Sequence, residues 1–272
     1  MDYQTLSDSD LQKFEEDGYL LLRGYFHPSE IERIYGMAIR DDVMQKKAID
    51  RGDAGGLRTK LSLWYTLDDS IYSLMARCER LVGGAEKILG SGVGHFHTKL
   101  MQKEPKKGGA WEWHQDYGYW YRDGFLLPDM VSVMTALTPA NRENGCLQVI
   151  RGSHRMGRID HGFAGDQVGA NLERVEVALD RMELVYVELQ PGDSLFFHCN
   201  LLHRSDANLS EHPRWSIISV YNALDNVPFK GSNTSSYTPI DRVPDKALLA
   251  ADVRGISEDL EFNEARTVRE EK

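Results

Sequence analysis

Apolar positions recur along the chain at two different periods, and the change from one to the other falls near residue 94. Before it the spacing is mostly helical. In LSDSDLQKFEEDG, Ser7 or Ser9 is placed to cap a helix, Leu11 and Phe14 form an apolar pair three apart, and Gly18 marks the stop. YLLLRGYF reads as a buried strand. HPSEIERIYGMAIRDD places Pro28 near a helix start and sets Ile31, Ile34 and Ala38 on one face. A further helical pattern, Ile71, Leu74, Met75, Cys78 and Leu81, runs to a stop at Gly83-Gly84. Between these helices lies KKAIDRGDAGGLRTK, Gly-rich and basic, which reads as a loop or lid.

From Gly94 onward the period is that of strands: HFHTKLMQ, WEWHQDYGYWY, MVSVMTAL, GCLQVIRG, LVYVELQPGDSLFFH and RWSIISVYNAL follow one another. Asn144-Gly145 and Pro191-Gly192-Asp193 are reversal signals between them. Short β-branched and aromatic strands without intervening helices predict a mainly β protein with flanking helices, its core a double-sheet jelly roll or a related barrel. A single domain is expected, with a mostly helical part over 1–93, the jelly-roll core over 94–225 and a C-terminal extension over 226–272. Met156 to Met182 is polar and long enough to be a functional loop over a barrel mouth. The tail, DLEFNEARTVREEK, reads as a short helix or a frayed end.

Composition narrows the partners. The chain has 272 residues and a net charge of −10, from 32 Lys+Arg against 42 Asp+Glu. That balance disfavours a general grip on nucleic acid or anionic lipid and points to a small-molecule or protein partner. Cys78, Cys146 and Cys199 are too few and scattered for a disulfide framework or a zinc site and read as free thiols. The N-terminus lacks the pattern of a signal peptide, and no apolar run reaches membrane-spanning length. A soluble cytoplasmic protein, monomer or homodimer, is the expectation.

The chemistry concentrates in WEWHQDYGYWY. Read as a strand, it puts Glu112, His114, Asp116 and Trp120 on one face, and Trp111, Trp113, Gln115, Tyr117, Tyr119 and Tyr121 on the other. An imidazole and a carboxylate side by side make two corners of a metal-binding face that a distant histidine can complete. PGDSLFFHCNLLHRSDANLSEHPRWSIISVYN ends an apolar strand on His203, with Ser205 next and Arg214 eleven positions after His203. His198 lies in the same segment and competes. Two histidines and one carboxylate leave three metal positions open, two for a chelating 2-oxo acid and one for dioxygen. The remote carboxylate of such an acid needs a planar cationic fork, which suits Arg214.

The ordered segments WHQDYGYW, NGCLQVIRGSH, PGDSLFFHCNLLHRS and PRWSIISVYN, with FEEDGYLLLRGYF before them, resemble the phytanoyl-CoA dioxygenase family of iron(II)/2-oxoglutarate oxygenases, which includes ectoine hydroxylases. The resemblance runs from about Asp10 to Asn222 and implies a double-stranded β-helix core, the cupin-like jelly roll, with Fe(2+) held by His114, Asp116 and His203. It prefers His203 over His198, which is left as a hydrogen-bonded core residue. It also implies 2-oxoglutarate held by Arg214 and Ser205, with Lys99, Met134 and Lys60 near its pocket. Halogenating relatives replace the carboxylate with a small residue; this chain keeps Asp116. The implied reaction is therefore hydroxylation of an unactivated C–H bond with O2, releasing succinate and CO2, where metal and cosubstrate carry the chemistry and the protein orients and shields. The alternative is a non-catalytic jelly-roll binding module on the same fold. Trp120, Arg158 and His161 are the candidates for substrate contact. With Arg51, Arg58 and Lys60 in neighbouring loops, they lean towards a small polar or anionic substrate.

Overall fold

The computed structural model describes residues 3–53, 55–164, 167–229 and 237–263. Its first part runs α1 (Asp8–Asp17), β1 (Tyr19–Leu22), α2 (Pro28–Arg40), α3 (Asp42–Lys46), β2 (Ile49–Gly52), β3 (Arg58–Trp64), α4 (Ile71–Arg77) and α5 (Glu79–Leu89). Then come β4 (Val93–Lys103), β5 (Trp111–His114), α6 (Asp116–Asp123), β6 (Met130–Ala136) and β7 (Leu147–Ile150). The rest is β8 (His161–Ala164), β9 (Gln167–Ala170), α7 (Leu172–Arg181), β10 (Leu184–Val187), β11 (Ser194–His198), β12 (His203–Ser205), β13 (Arg214–Ala223), β14 (Thr238–Pro239) and α8 (Ala247–Ala250).

Strand alternation builds two layers. On β6, Met130, Met134 and Ala136 belong to one apolar cluster, while Val131 and Val133 belong to another. The larger sheet, ordered β1-β11-β6-β13-β4-β3-β2 with β14 beside β4, divides these clusters. On its inner face Met134, Leu195, Phe197, Ile218 and Val220 meet Leu147, Val149 and Val187 of the smaller sheet, ordered β10-β7-β12-β5. On its outer face Val131, Val133, Phe196 and Tyr221 pack on helical residues such as Phe14, Ile34 and Leu81. Two antiparallel sheets closed face to face, with helices covering one outer side, are the expected jelly roll.

The N-terminal signals act as the sequence predicts. Ser7 caps α1 in a capping box with Asp10, and Gly18 ends it at φ 79°, the left-handed conformation that glycine adopts without steric cost. Ile31, Ile34 and Ala38 are the buried stripe of α2.

Several local expectations change. The helix predicted from Ile71 is two helices, broken at Cys78, whose backbone is extended. Gly83-Gly84 lies inside α5 and is no stop. A Cβ on Gly84 would stand 3.0 Å from the Phe196 ring, so glycine there lets α5 press against β11. KKAIDRGDAGGLRTK is not a bare loop but carries the edge hairpin β2–β3, where Ile49 pairs with Leu61 and Asp53 braces the turn by accepting from the Leu57 amide. Because β1, β2 and β3 join the larger sheet, residues 1–93 supply strands as well as helices. The Met156–Met182 segment holds the β8–β9 hairpin and α7. Of the tail, 264–272 lies outside the described residues; before it Phe262 bridges to Trp64, so the described part is not helical. Among the described residues no helix is long and apolar enough to cross a membrane.

Candidate metal centre

The centre forms where the smaller sheet meets α6. His114 on β5 and His203 on β12 are Cα partners in one antiparallel pair, and their ring centroids lie 4.0 Å apart. A separation of 89 residues is thus closed by strand register alone. WEWHQDYGYWY is a strand only as far as His114. Gln115 is extended, and Asp116 starts α6, which corrects the single-strand reading. The Gln115 side chain locks this corner: Nε2 donates to the carbonyls of Gly157 and Asn200, and Oε1 accepts from the Ile159 amide. The turn therefore carries Asp116 back towards the imidazoles, with Oδ1 at 3.7 Å from His114 Nε2 and 3.9 Å from His203 Nε2. The three ligand atoms all lie within 4.8 Å of one another, and no other group of three or more His, Cys, Asp or Glu among the described residues meets that geometry.

Each donor is set in the form a metal requires. His114 Nδ1 donates to the Glu112 carbonyl at 2.7 Å and His203 Nδ1 to the Leu201 carbonyl at 2.9 Å. These bonds fix the tautomer and leave Nε2 of each ring as the lone-pair donor. Burial, and after it the neighbouring His203, holds the His114 imidazole well below its usual range; burial lowers His203 as well. Burial alone would raise the Asp116 carboxyl, but Lys99, the two imidazoles and the Ser132 hydroxyl outweigh it and the net shift is downward. Two neutral imidazoles and a carboxylate on one buried face fit a divalent iron. Asp116 Oδ2 accepts from Ser132 Oγ at 2.8 Å. Ser132→Ala is expected to weaken iron binding about tenfold, since outer partners of this kind orient a ligand carboxylate. A competition titration that returned the wild-type affinity would show that Asp116 is held by other means.

The face opens on a cavity of about 580 Å³. Its floor is a row across the larger sheet, Leu63, Lys99, Ile218 and Met134, successive Cα partners on β3, β4, β13 and β6. Lys99 Nζ lies 3.7 Å from Asp116 Oδ1. Ser205 and Arg214, both buried, line the cavity as well. Arg214 is 3% exposed, and its guanidinium has no carboxylate or hydrogen-bond partner among the described residues. Burial brings its pKa down to about 10. A buried cation without a counter-ion, facing a cavity, fits the anionic end of a ligand.

Of the remaining candidates, Trp120 lines the cavity, although from α6 rather than from a strand. Trp111, assigned to the opposite face, lines it too. Three residues are not brought to it. Lys60 is exposed on β3, because alternation turns its neighbours Leu61 and Leu63 inward and Lys60 out. Arg158 lies over the Tyr121 ring and pairs with Asp160. His161 is buried behind the ligand turn, its Nδ1 donating to the Ile159 carbonyl and its Nε2 accepting from the Gln115 amide. His198 Nδ1 accepts from the Asn200 amide. Sequence reasoning missed Ser132, Gln115 and His97. For Ser132 a signal existed: in MVSVMTA it is the polar member of the inward set Met130, Ser132 and Met134.

Similar proteins bear on this geometry. The family model for phytanoyl-CoA dioxygenase (PhyH) matches residues 14–216. The ectoine dioxygenase of Bordetella bronchiseptica is 30% identical over 239 residues, which cover 82% of this chain and 77% of that one. The L-proline trans-4-hydroxylase of Streptomyces griseoviridis is 32% identical over 177 residues, 59% of this chain and 66% of that one. The crystal structure of EctD from S. alaskensis with 2-oxoglutarate and 5-hydroxyectoine superposes with a TM-score of 0.71 at 23% identity, over 90% of each chain.

Proposed function

The chain belongs to the phytanoyl-CoA dioxygenase family and is an iron(II)- and 2-oxoglutarate-dependent dioxygenase, and on that premise we propose that it hydroxylates a compact polar or anionic small molecule. The observation that carries the reading is the union, in one cavity, of a two-histidine, one-carboxylate face with a buried, unpaired Arg214. In this reading His114, Asp116 and His203 hold iron, Arg214 and Ser205 receive the distal carboxylate of 2-oxoglutarate, and Lys99 and Met134 line the stretch between. Iron bound there supplies the activation of dioxygen, with 2-oxoglutarate oxidised to succinate and CO2 as the substrate is hydroxylated. The protein's part is to orient the substrate C–H bond and exclude water; Trp111, Tyr119 and Trp120 provide a ring-lined wall for that.

Two features favour a small polar substrate. Arg51 reaches the cavity from β2 with no carboxylate or hydrogen-bond partner among the described residues. His97 lines it at 4% exposure, its Nε2 is sequestered without a hydrogen bond, and burial, then Lys99, holds its pKa well below the usual range. A cation and a neutral imidazole suit a carboxylate-bearing molecule with a second hydrogen-bonding group. Ectoine and L-proline, named in two relatives, are of that size and charge. The test is substrate-stimulated succinate formation with ectoine, L-proline and other small cyclic or amino-acid carboxylates, each beside its carboxamide. Stimulation by carboxylates is expected, and Arg51→Gln should raise the KM of the best one about tenfold while leaving that of its amide within about twofold. Stimulation confined to acyl thioesters or polycyclic compounds would refute the substrate reading.

A further inference from the structure

A second cation lies beside Arg214. Lys103 ends β4 as the Cα partner of Arg214 in the β4–β13 ladder and is wholly buried, at 0% exposure. It has no route outward. A Cβ on Gly108 would stand 2.6 Å from Lys103 Cβ, and Asn208 closes the strand end by donating from Nδ2 to the Lys103 carbonyl at 3.0 Å. The ammonium donates to the Asp206 carbonyl at 2.5 Å and more weakly to that of Ser205 at 3.4 Å. No carboxylate among the described residues forms an ion pair with it. The nearest acids are engaged elsewhere: Asp206 by Gln148 and Arg204, Asp53 by the amides of Leu57 and Ala110. Burial, and then the Arg214 guanidinium, holds the Lys103 pKa well below its ordinary value.

Two adjacent buried cations, neither paired with a carboxylate, repel one another and have each lost their hydration. An anion bound at Arg214 offsets that repulsion and favours the protonated form of Lys103, which burial otherwise disfavours. We propose that Lys103 is a positioning residue for the distal carboxylate of 2-oxoglutarate, fixing the Ser205–Asp206 backbone that carries the Ser205 hydroxyl and adding a second positive charge behind Arg214. Lys103 is not among the cavity-lining residues, so it acts through Ser205 and Arg214 rather than by contact. The proposal rests on the reading that Arg214 and Ser205 receive that carboxylate. Its consequence is selectivity for a dicarboxylate over a 2-oxo acid with one carboxylate.

The test is anaerobic calorimetric titration of iron-loaded protein with 2-oxoglutarate and with 2-oxobutyrate, which lacks the distal carboxylate. Lys103→Met is expected to raise the Kd of 2-oxoglutarate about tenfold and to leave that of 2-oxobutyrate within about twofold, with Lys103→Arg recovering most of the loss. Should Lys103→Met not fold, Lys103→Gln, polar, uncharged and one bond shorter, is expected to show the same profile. Wild-type affinity for 2-oxoglutarate in the neutral variant, or equal losses for both acids, overturns the proposal, the second outcome marking a purely structural lysine. Failure of wild-type protein to bind 2-oxoglutarate at all would instead refute the cosubstrate reading beneath it.

Discussion

Replacing His203 with alanine is expected to abolish stoichiometric iron binding and to lower iron-dependent succinate formation at least about a hundredfold. Loss of an outer partner already costs roughly ten- to a hundredfold in metal affinity, and removal of a ligand costs more. Compensation is closed off by the packing. His114 and His203 face each other across one strand pair, and no further His, Cys, Asp or Glu among the described residues lies in the same group. His198, five residues away, has its Nδ1 engaged by the Asn200 amide and its ring against His154, on another side of β11. The change should be local, because the β12 backbone is held by β7 and β5 on its two sides. Far-ultraviolet circular dichroism is therefore expected to match the wild type while metal content after dialysis falls to background. A variant that retained one iron per chain would move the centre away from this face, and a metal-free variant still producing succinate would separate the activity from it.

Much of this centre was legible in the sequence, though partly by a wrong route. Reading WEWHQDYGYWY as one strand brings His114 and Asp116 together by alternation; the structure does so by ending the strand at His114 and starting α6 at Asp116. Both geometries satisfy a spacing of two, so spacing could not choose between them. The aromatic residues expose the difference. Tyr119, assigned away from the ligands, lines the cavity with Trp120 because both stand on α6, where successive side chains turn by about 100° rather than 180°, while Trp111 lines it from β5. Pairing in space was less accessible. Lys60 and Arg51 lie in the same basic stretch, and only the β2–β3 register decides that Arg51 reaches the cavity while Lys60 faces out. Lys103 was invisible for a related reason: HFHTKLMQ carries Lys99 within it and is followed at once by Lys103, and nothing local says that this second lysine ends beside Arg214. The helices were read well where caps and stripes are local, as in α1 and α2. They were misread where a tertiary contact sets the rule, as at Gly84 under Phe196.

Replacing Arg214 with methionine should have opposite effects on binding and on stability. The Kd for 2-oxoglutarate is expected to rise about a hundredfold, in the range found when one partner of a buried, hydrogen-bonded charge pair is truncated, whereas that for 2-oxobutyrate changes little. Arg214→Lys should fall between, since an ammonium restores charge but not the planar fork. In the ligand-free protein, however, Arg214 is a buried cation whose pKa burial has lowered to about 10 and whose Cα partner across the β4–β13 ladder is Lys103. Methionine keeps the aliphatic stem without the guanidinium and so removes that desolvation and repulsion, and the ligand-free variant should melt at or above the wild-type temperature. Addition of 2-oxoglutarate should then raise the melting temperature of the wild type and leave that of the variant nearly unmoved, because a ligand stabilises only as far as it binds the folded state. Thermal melts of both proteins, with and without 2-oxoglutarate, read all four quantities. If the ligand-free variant instead melts well below the wild type while still responding to 2-oxoglutarate, Arg214 is satisfied within the fold, and the distal carboxylate is bound by other residues.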